Sequence, residues 1–181
     1  MSSKLYCHIG MQKAGSKAIQ HFSAVNAEEL VARGYRYPRD LGKGVWHREV
    51  FEGFSNVVAE RIQRLCEANP SVILSFEKAY TANDNLIDEL AGCADEMHVL
   101  FFVREPVSWV NSWINQIVKA HRSPHRSFAE FSVDQRSTAN ALDIEQHLAR
   151  WEARTTRERI TAIEYDSVGD VVLPYLDWLG I

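Results

Sequence analysis

The sequence predicts an α/β domain in which helices cover a central parallel sheet, and three observations carry that prediction. Short runs rich in Val, Ile, Leu and Phe alternate with longer stretches of helical periodicity. The short runs are apolar throughout, as strands buried on both faces are. The chain has 181 residues, 46% of them hydrophobic and 24% charged, which suits one globular domain over 1–181.

The predicted strands are Leu5–Ile9, Val72–Phe76, His98–Val103 and Ile160–Glu164. The predicted helices are Ser16–Arg33, Val50–Ala68, Asn83–Cys93, Pro106–His121, Ala139–Arg154 and Val168–Leu179. Pro106 fits the start of its helix, where its missing N–H is not needed. Arg39–His47 reads as a Gly-containing loop and Arg122–Arg136 as a polar one. In an open α/β sheet both would project from the carboxyl edge of the strands, where ligands bind.

A net charge of −4 without a long basic run gives no footing for extensive nucleic-acid binding. Cys7, Cys66 and Cys93 form no CxxC pair, which argues against a disulfide framework or zinc site and for a reducing compartment. Cys7 reads as a small buried hydrophobe. No segment reaches the roughly 18 apolar residues of a membrane span, and the N-terminal apolar stretch is too short for a signal peptide. A cytoplasmic protein is the resulting expectation. No set of His, Asp and Glu shows metal-ligand spacing, so no metal is expected.

Chemistry concentrates in KLYCHIGMQKAGSKAIQ, Lys4–Gln20. An apolar run ends in a loop bounded by Gly10 and Gly15, which opens directly into a helix. That is the layout of a phosphate cradle, with loop N–H groups and a helix N-terminus converging on an anion. The spacing approaches G-x-x-x-x-G-K-[ST], but Ser16 and Lys17 stand in reversed order. A magnesium-dependent nucleotide triphosphatase site is thereby disfavoured, while anion binding is retained.

The loop GMQKAGSKAIQ resembles the 5′-phosphosulfate loop of sulfotransferases that use 3′-phosphoadenosine 5′-phosphosulfate (PAPS). Lys13 falls on that family's lysine, Gly15 on its glycine and Ser16 on its first hydroxyl residue, while Gln12, Ala14 and Lys17 depart from the pattern. A second element, VLFFVREPVSWVNSWINQIVK, resembles the family's 3′-phosphate site: Arg104 at a strand end and Ser112 eight residues on. Eight residues is about two helical turns, so guanidinium and hydroxyl can converge on one phosphate. LVARGYRYP at Leu30–Pro38 and IEYDSVGDVVLPYLDWLGI at Ile163–Ile181 resemble further family segments in family order. The Gly-rich basic closing loop that follows in the family is absent from this sequence.

The resemblance implies a three-layer P-loop NTPase-like fold with a central parallel sheet flanked by helices. It also implies transfer of a sulfuryl group from PAPS to a hydroxyl or amine of a small-molecule or glycan acceptor, leaving 3′,5′-adenosine bisphosphate (PAP). Lys13, Ala14, Gly15, Ser16 and Lys17 would hold the 5′-phosphosulfate, and Arg104 with Ser112 the 3′-phosphate. Lys13 would also stabilise charge on the leaving oxygen.

A base must take the acceptor's proton. Glu77 at the end of VILSFE is one candidate, and His47 beside Trp46 is the other. Glu77 alternatively forms a salt bridge with Lys13, and Arg104 one with Glu105. His8 and His98 read as hydrogen-bonded core residues, and His121 and His125 as solvated ones. Trp109 and Trp113 share a helix face, and Trp113 or Tyr80 is a candidate lining of an acceptor pocket. Two rival readings remain at this level: a P-loop kinase, and a sulfotransferase-like binding module without turnover.

Overall fold

The computed structural model describes residues 2–42, 44–121 and 140–181. The predicted loop Arg122–Arg136, with His125, lies outside the described residues, as does the His121 side chain. Five strands form one sheet: β1 (Lys4–His8), β2 (Tyr35–Arg36), β3 (Ser71–Ser75), β4 (Glu96–Val103) and β5 (Ile160–Glu164). Their spatial order is β2-β3-β1-β4-β5 and every pairing is parallel. The registers Lys4↔Ser71 and Lys4↔Glu96 align the amino ends of β1, β3 and β4; β1 and β3 end level at His8 and Ser75, while β4 continues past Leu100 to Val103. From β1 the chain runs to β2 and β3 on one side, then crosses to β4 and β5 on the other. That reversal opens a crevice above the tip of β1.

Helices α1 (Ser16–Val25), α2 (Ala27–Ala32), α3 (Arg48–Glu52), α4 (Asn56–Ala68), α5 (Asp84–Ala91), α6 (Pro106–His121), α7 (Ile144–Glu152) and α8 (Val172–Leu179) flank the sheet, giving three layers. The α1–α8 contact is pinned by Ser23 Oγ and the Tyr175 hydroxyl at 2.9 Å. Arg154, just after α7, donates to Asp88 of α5 at 2.8 Å. Leu5, Cys7, Val72–Leu74 and Val99–Phe102 are fully buried and form the centre of the core.

Several predicted boundaries move for local reasons. The helix expected over Ser16–Arg33 breaks at Asn26, whose side-chain amide donates to the Phe22 carbonyl at 2.8 Å and competes with the helical ladder. The helix expected over Val50–Ala68 breaks around Gly53, a residue costly inside helices. The first turn expected of the Val168–Leu179 helix is bent, non-helical chain, and α8 starts at Val172. Within the described part of the Ala139–Arg154 prediction, Asp143 caps α7 by accepting from the Gln146 N–H. β2 is too short for any periodicity. Gly34, with φ +88°, turns the chain out of α2 into it. β5 was expected to be buried on both faces, but at the edge of the sheet it leaves Ala162 and Glu164 exposed.

Candidate functional site

Beyond β1 the chain stays clipped to its neighbours while it turns. The Ile9 N–H donates to the Leu100 carbonyl at 3.0 Å, and the Gly10 carbonyl accepts from Lys78 N–H at 2.9 Å. Lys13 (φ +64°) and Gly15 (φ +80°) then adopt left-handed backbone just before α1. For a lysine that conformation costs about 1–3 kcal/mol and persists only where surrounding contacts impose it.

Gly15 is required twice over. Its φ suits glycine, and a Cβ there would lie 2.7 Å from Val171 Cγ1. A Cβ on Gly10 would lie 2.3 Å from Ser16 Oγ and 2.7 Å from His8 Nε2. The loop therefore rests on the His8 ring. His8 Nδ1 pairs with Ser75 Oγ at 2.8 Å, and burial pushes its pKa down to about 3.

The structure settles the position of Ser16. The cap position belongs to Gly15, and Ser16 is the first helical residue, its hydroxyl donating to the Met11 carbonyl at 3.4 Å. The first turn of α1 contains no acid. Its orphan N–H groups and the positive end of the helix dipole face an anion-compatible space.

β4 delivers the second half of the site. Glu105 caps α6: its carboxylate accepts from Val107 N–H at 3.0 Å and Ser108 N–H at 2.6 Å, bonds that hold its pKa below the usual range. The Glu105 carboxylate is thus spent on the helix. Arg104 instead donates from Nη1 to the Lys13 carbonyl at 2.8 Å and lies over the Tyr165 ring at 5.1 Å. Asp166 stands 3.6 Å from Arg104 Nε, an ion pair beyond hydrogen-bond reach, and its other oxygen accepts from Glu105 N–H at 3.1 Å. The guanidinium is therefore held from three sides, and it bolts the strained loop residue to the tip of β4.

Lys13, Gly15, Ser16, Lys17, Glu77, Arg104 and Ser112 all line one cleft of about 390 Å³. Ala14 is fully buried and does not line the cleft. Three cations and one acid give the cleft a positive balance. Glu77 makes no ion pair among the described residues, so the salt bridge to Lys13 weighed from sequence does not form.

His47 is elsewhere. It is 1% exposed; its Nδ1 accepts from Ser75 N–H at 2.9 Å, and its Nε2 pairs with the Pro38 carbonyl at 3.1 Å. Both ring nitrogens are committed to backbone, and burial lowers its pKa to about 4. A histidine so placed joins the loop after β2 to the tip of β3, and it does not line the cleft.

Sequence reasoning missed Gln116, Tyr165 and Ala18, which complete the cleft lining. Gln116 stands one turn beyond Ser112, a spacing that could have flagged it. Tyr165 lies at the tip of β5, in a segment quoted for its likeness but given no role. Of the histidines read as core, His8 is fully buried, while His98 is half-buried and bonded to Glu96 at 3.2 Å.

No protein-family model matches this chain. No curated protein matches it either. Its fold does match solved structures. A sulfotransferase from Alicyclobacillus acidocaldarius aligns with TM-score 0.64 and 14% identity, over 97% of this chain and 80% of that one. A sulfotransferase domain from the curacin biosynthetic pathway aligns with TM-score 0.51 and 13% identity, over 99% of this chain and 74% of that one. The chain therefore shares the three-layer α/β fold of these two structures.

Proposed function

We propose that the chain is a transferase of the sulfotransferase type that binds PAPS in the cleft and moves its sulfuryl group to an acceptor. One observation carries the reading: Lys13 and Arg104, 91 residues apart in sequence, meet in one cleft through a 2.8 Å hydrogen bond. The fold shared with two sulfotransferases supports it.

In this reading the α1 N-terminus, Gly15 N–H, Ser16 and Lys17 take the 5′-phosphate end. Arg104 and Ser112 take the 3′-phosphate, the guanidinium already oriented by Tyr165 and the Lys13 carbonyl. When bound, PAPS supplies an activated sulfuryl group with a good leaving phosphate. Lys13 stabilises the charge left on that oxygen, and Glu77, lining the same cleft without an ion partner among the described residues, accepts the acceptor's proton. The protein's contribution is positioning and charge stabilisation.

Calorimetry tests this against the kinase reading. Adenosine 3′,5′-bisphosphate should bind with no requirement for magnesium, and sulfate should pass from PAPS to an acceptor. Tight binding of ATP with magnesium and no binding of the bisphosphate would contradict the proposal.

A further inference from the structure

Beneath the cradle lies a histidine that the proposed reaction does not use. His8 is fully buried, and Phe102 meets it edge to face with ring centroids 6.1 Å apart. Its Nδ1 pairs with Ser75 Oγ at 2.8 Å, whereas its Nε2 has no hydrogen-bond partner among the described residues. A buried polar atom left in that state costs free energy and calls for a reason.

Gly10 shows where that nitrogen points. The spot beside its Cα that a Cβ would fill is 2.7 Å from His8 Nε2 and 2.3 Å from Ser16 Oγ. The ring nitrogen and the hydroxyl therefore approach one place, from β1 and from the first turn of α1. Ser16 Oγ is weakly committed, its bond to the Met11 carbonyl being long at 3.4 Å. Gln20, one turn further along the buried face of α1, also leaves both amide atoms without a partner among the described residues. Unsatisfied polarity thus gathers under the first half of α1, whose N-terminal N–H groups face the cleft.

We propose that His8 is a positioning residue for anion binding: its Nε2–H donates to Ser16 Oγ and so turns the Ser16 O–H outward, to an anion in the cleft. The proposal rests on the anion-binding half of the reading above and on none of its transfer chemistry. A serine hydroxyl has one hydrogen. While that hydrogen is spent on the Met11 carbonyl, the hydroxyl offers the cleft only lone pairs, which repel an anion. A donor behind the oxygen leaves the hydrogen to the anion and polarises the O–H bond.

The ring does this as a neutral group. Burial holds its pKa down to about 3, so at neutral pH it carries one hydrogen and the tautomer decides what it can do. A Ser75 O–H donated to Nδ1 fixes that hydrogen on Nε2. The Tyr37 hydroxyl, which donates to the Val45 carbonyl, offers Ser75 a competing acceptor. Were Ser75 to donate there, His8 would hold its hydrogen on Nδ1 and turn a bare lone pair toward Ser16. The two tautomers therefore make opposite predictions for the cradle.

Long-range proton–nitrogen correlation spectra of the isotopically labelled full chain read the tautomer without any substitution. Nε2–H is expected with and without adenosine 3′,5′-bisphosphate, and Nδ1–H in either state would overturn the proposal. Calorimetry with inorganic pyrophosphate and with the bisphosphate supplies the second readout. His8→Asn keeps a partner for Ser75 but falls short of Ser16, and it should weaken both ligands about tenfold. His8→Gln, whose amide reaches further, should stay within about threefold of wild type. On a Ser16→Ala background, His8→Asn should change either affinity by less than about twofold. The same loss with and without the Ser16 hydroxyl would overturn the proposal, because His8 would then act through packing alone. Pyrophosphate binding by a wild type that ignores the bisphosphate would break the donor reading alone, and a wild type that binds neither would overturn both.

Discussion

The turns after β1 and β4 border the same cleft by opposite means. After β1 the chain presents backbone: two glycines, a left-handed lysine and the open end of α1. After β4 it presents side chains. Arg104 and Ser112 line the cleft, Glu105 and Pro106 build the helix start, and neither turn residue has positive φ. A backbone cradle is specified by what must be missing, the Cβ atoms of Gly10 and Gly15. A side-chain clamp is specified by what must be present and by what holds it, here Tyr165, Asp166 and the Lys13 carbonyl. The two regions should therefore respond differently to substitution.

The largest effect is expected at the cradle. Gly15→Ala puts a Cβ against Val171 in a left-handed conformation and should cost about 2–4 kcal/mol of folding stability, measured by denaturant unfolding. A loss below about 0.5 kcal/mol would show that the loop relaxes freely and that its geometry is not imposed.

Acid should separate the regions next. His8, the floor of the cradle, and His47 behind it both have pKa values below the ordinary 6.5, at about 3 and about 4. The folded state thus binds fewer protons than the unfolded chain below about pH 6.5. The stability that these neutral rings represent is complete above that pH, and it falls as pH drops toward about 4 for His47 and about 3 for His8. His47→Gln should flatten the slope of unfolding free energy between about pH 6 and pH 4.5 by up to about 1.4 kcal/mol per pH unit. An unchanged slope would mean that His47 is solvated.

The smallest effect is expected at the exposed end of the cradle. Lys17→Ala removes a cation from the rim of the cleft and should weaken adenosine 3′,5′-bisphosphate binding by about 0.3–1 kcal/mol, less at high salt. A loss above about 2 kcal/mol would make Lys17 a principal ligand.

Much of this was legible in the sequence because it is written in short-range patterns. Uninterrupted apolar runs marked β1, β3 and β4, and the Gly10–Gly15 interval marked the loop. The eight-residue step from Arg104 to Ser112 placed both at one cleft. Features set by tertiary contact were not legible. A two-residue strand has no period, so β2 was invisible. The breaks at Asn26 and Gly53 are decided by single residues within otherwise helical patterns. His47 looked like a loop histidine because nothing local shows that both nitrogens meet backbone of other segments, Pro38 and Ser75.

The central claim is a two-point grip, with the β1–α1 loop on one phosphate and Arg104 on the other. Calorimetric affinities for adenosine 3′,5′-bisphosphate and adenosine 5′-monophosphate, on wild type and on Arg104→Ala, test it most directly. Wild type should favour the bisphosphate by about 1.5–3 kcal/mol, the worth of one bidentate phosphate contact, and Arg104→Ala should bind the two nucleotides equally. An Arg104→Ala protein that keeps the full preference would contradict the account.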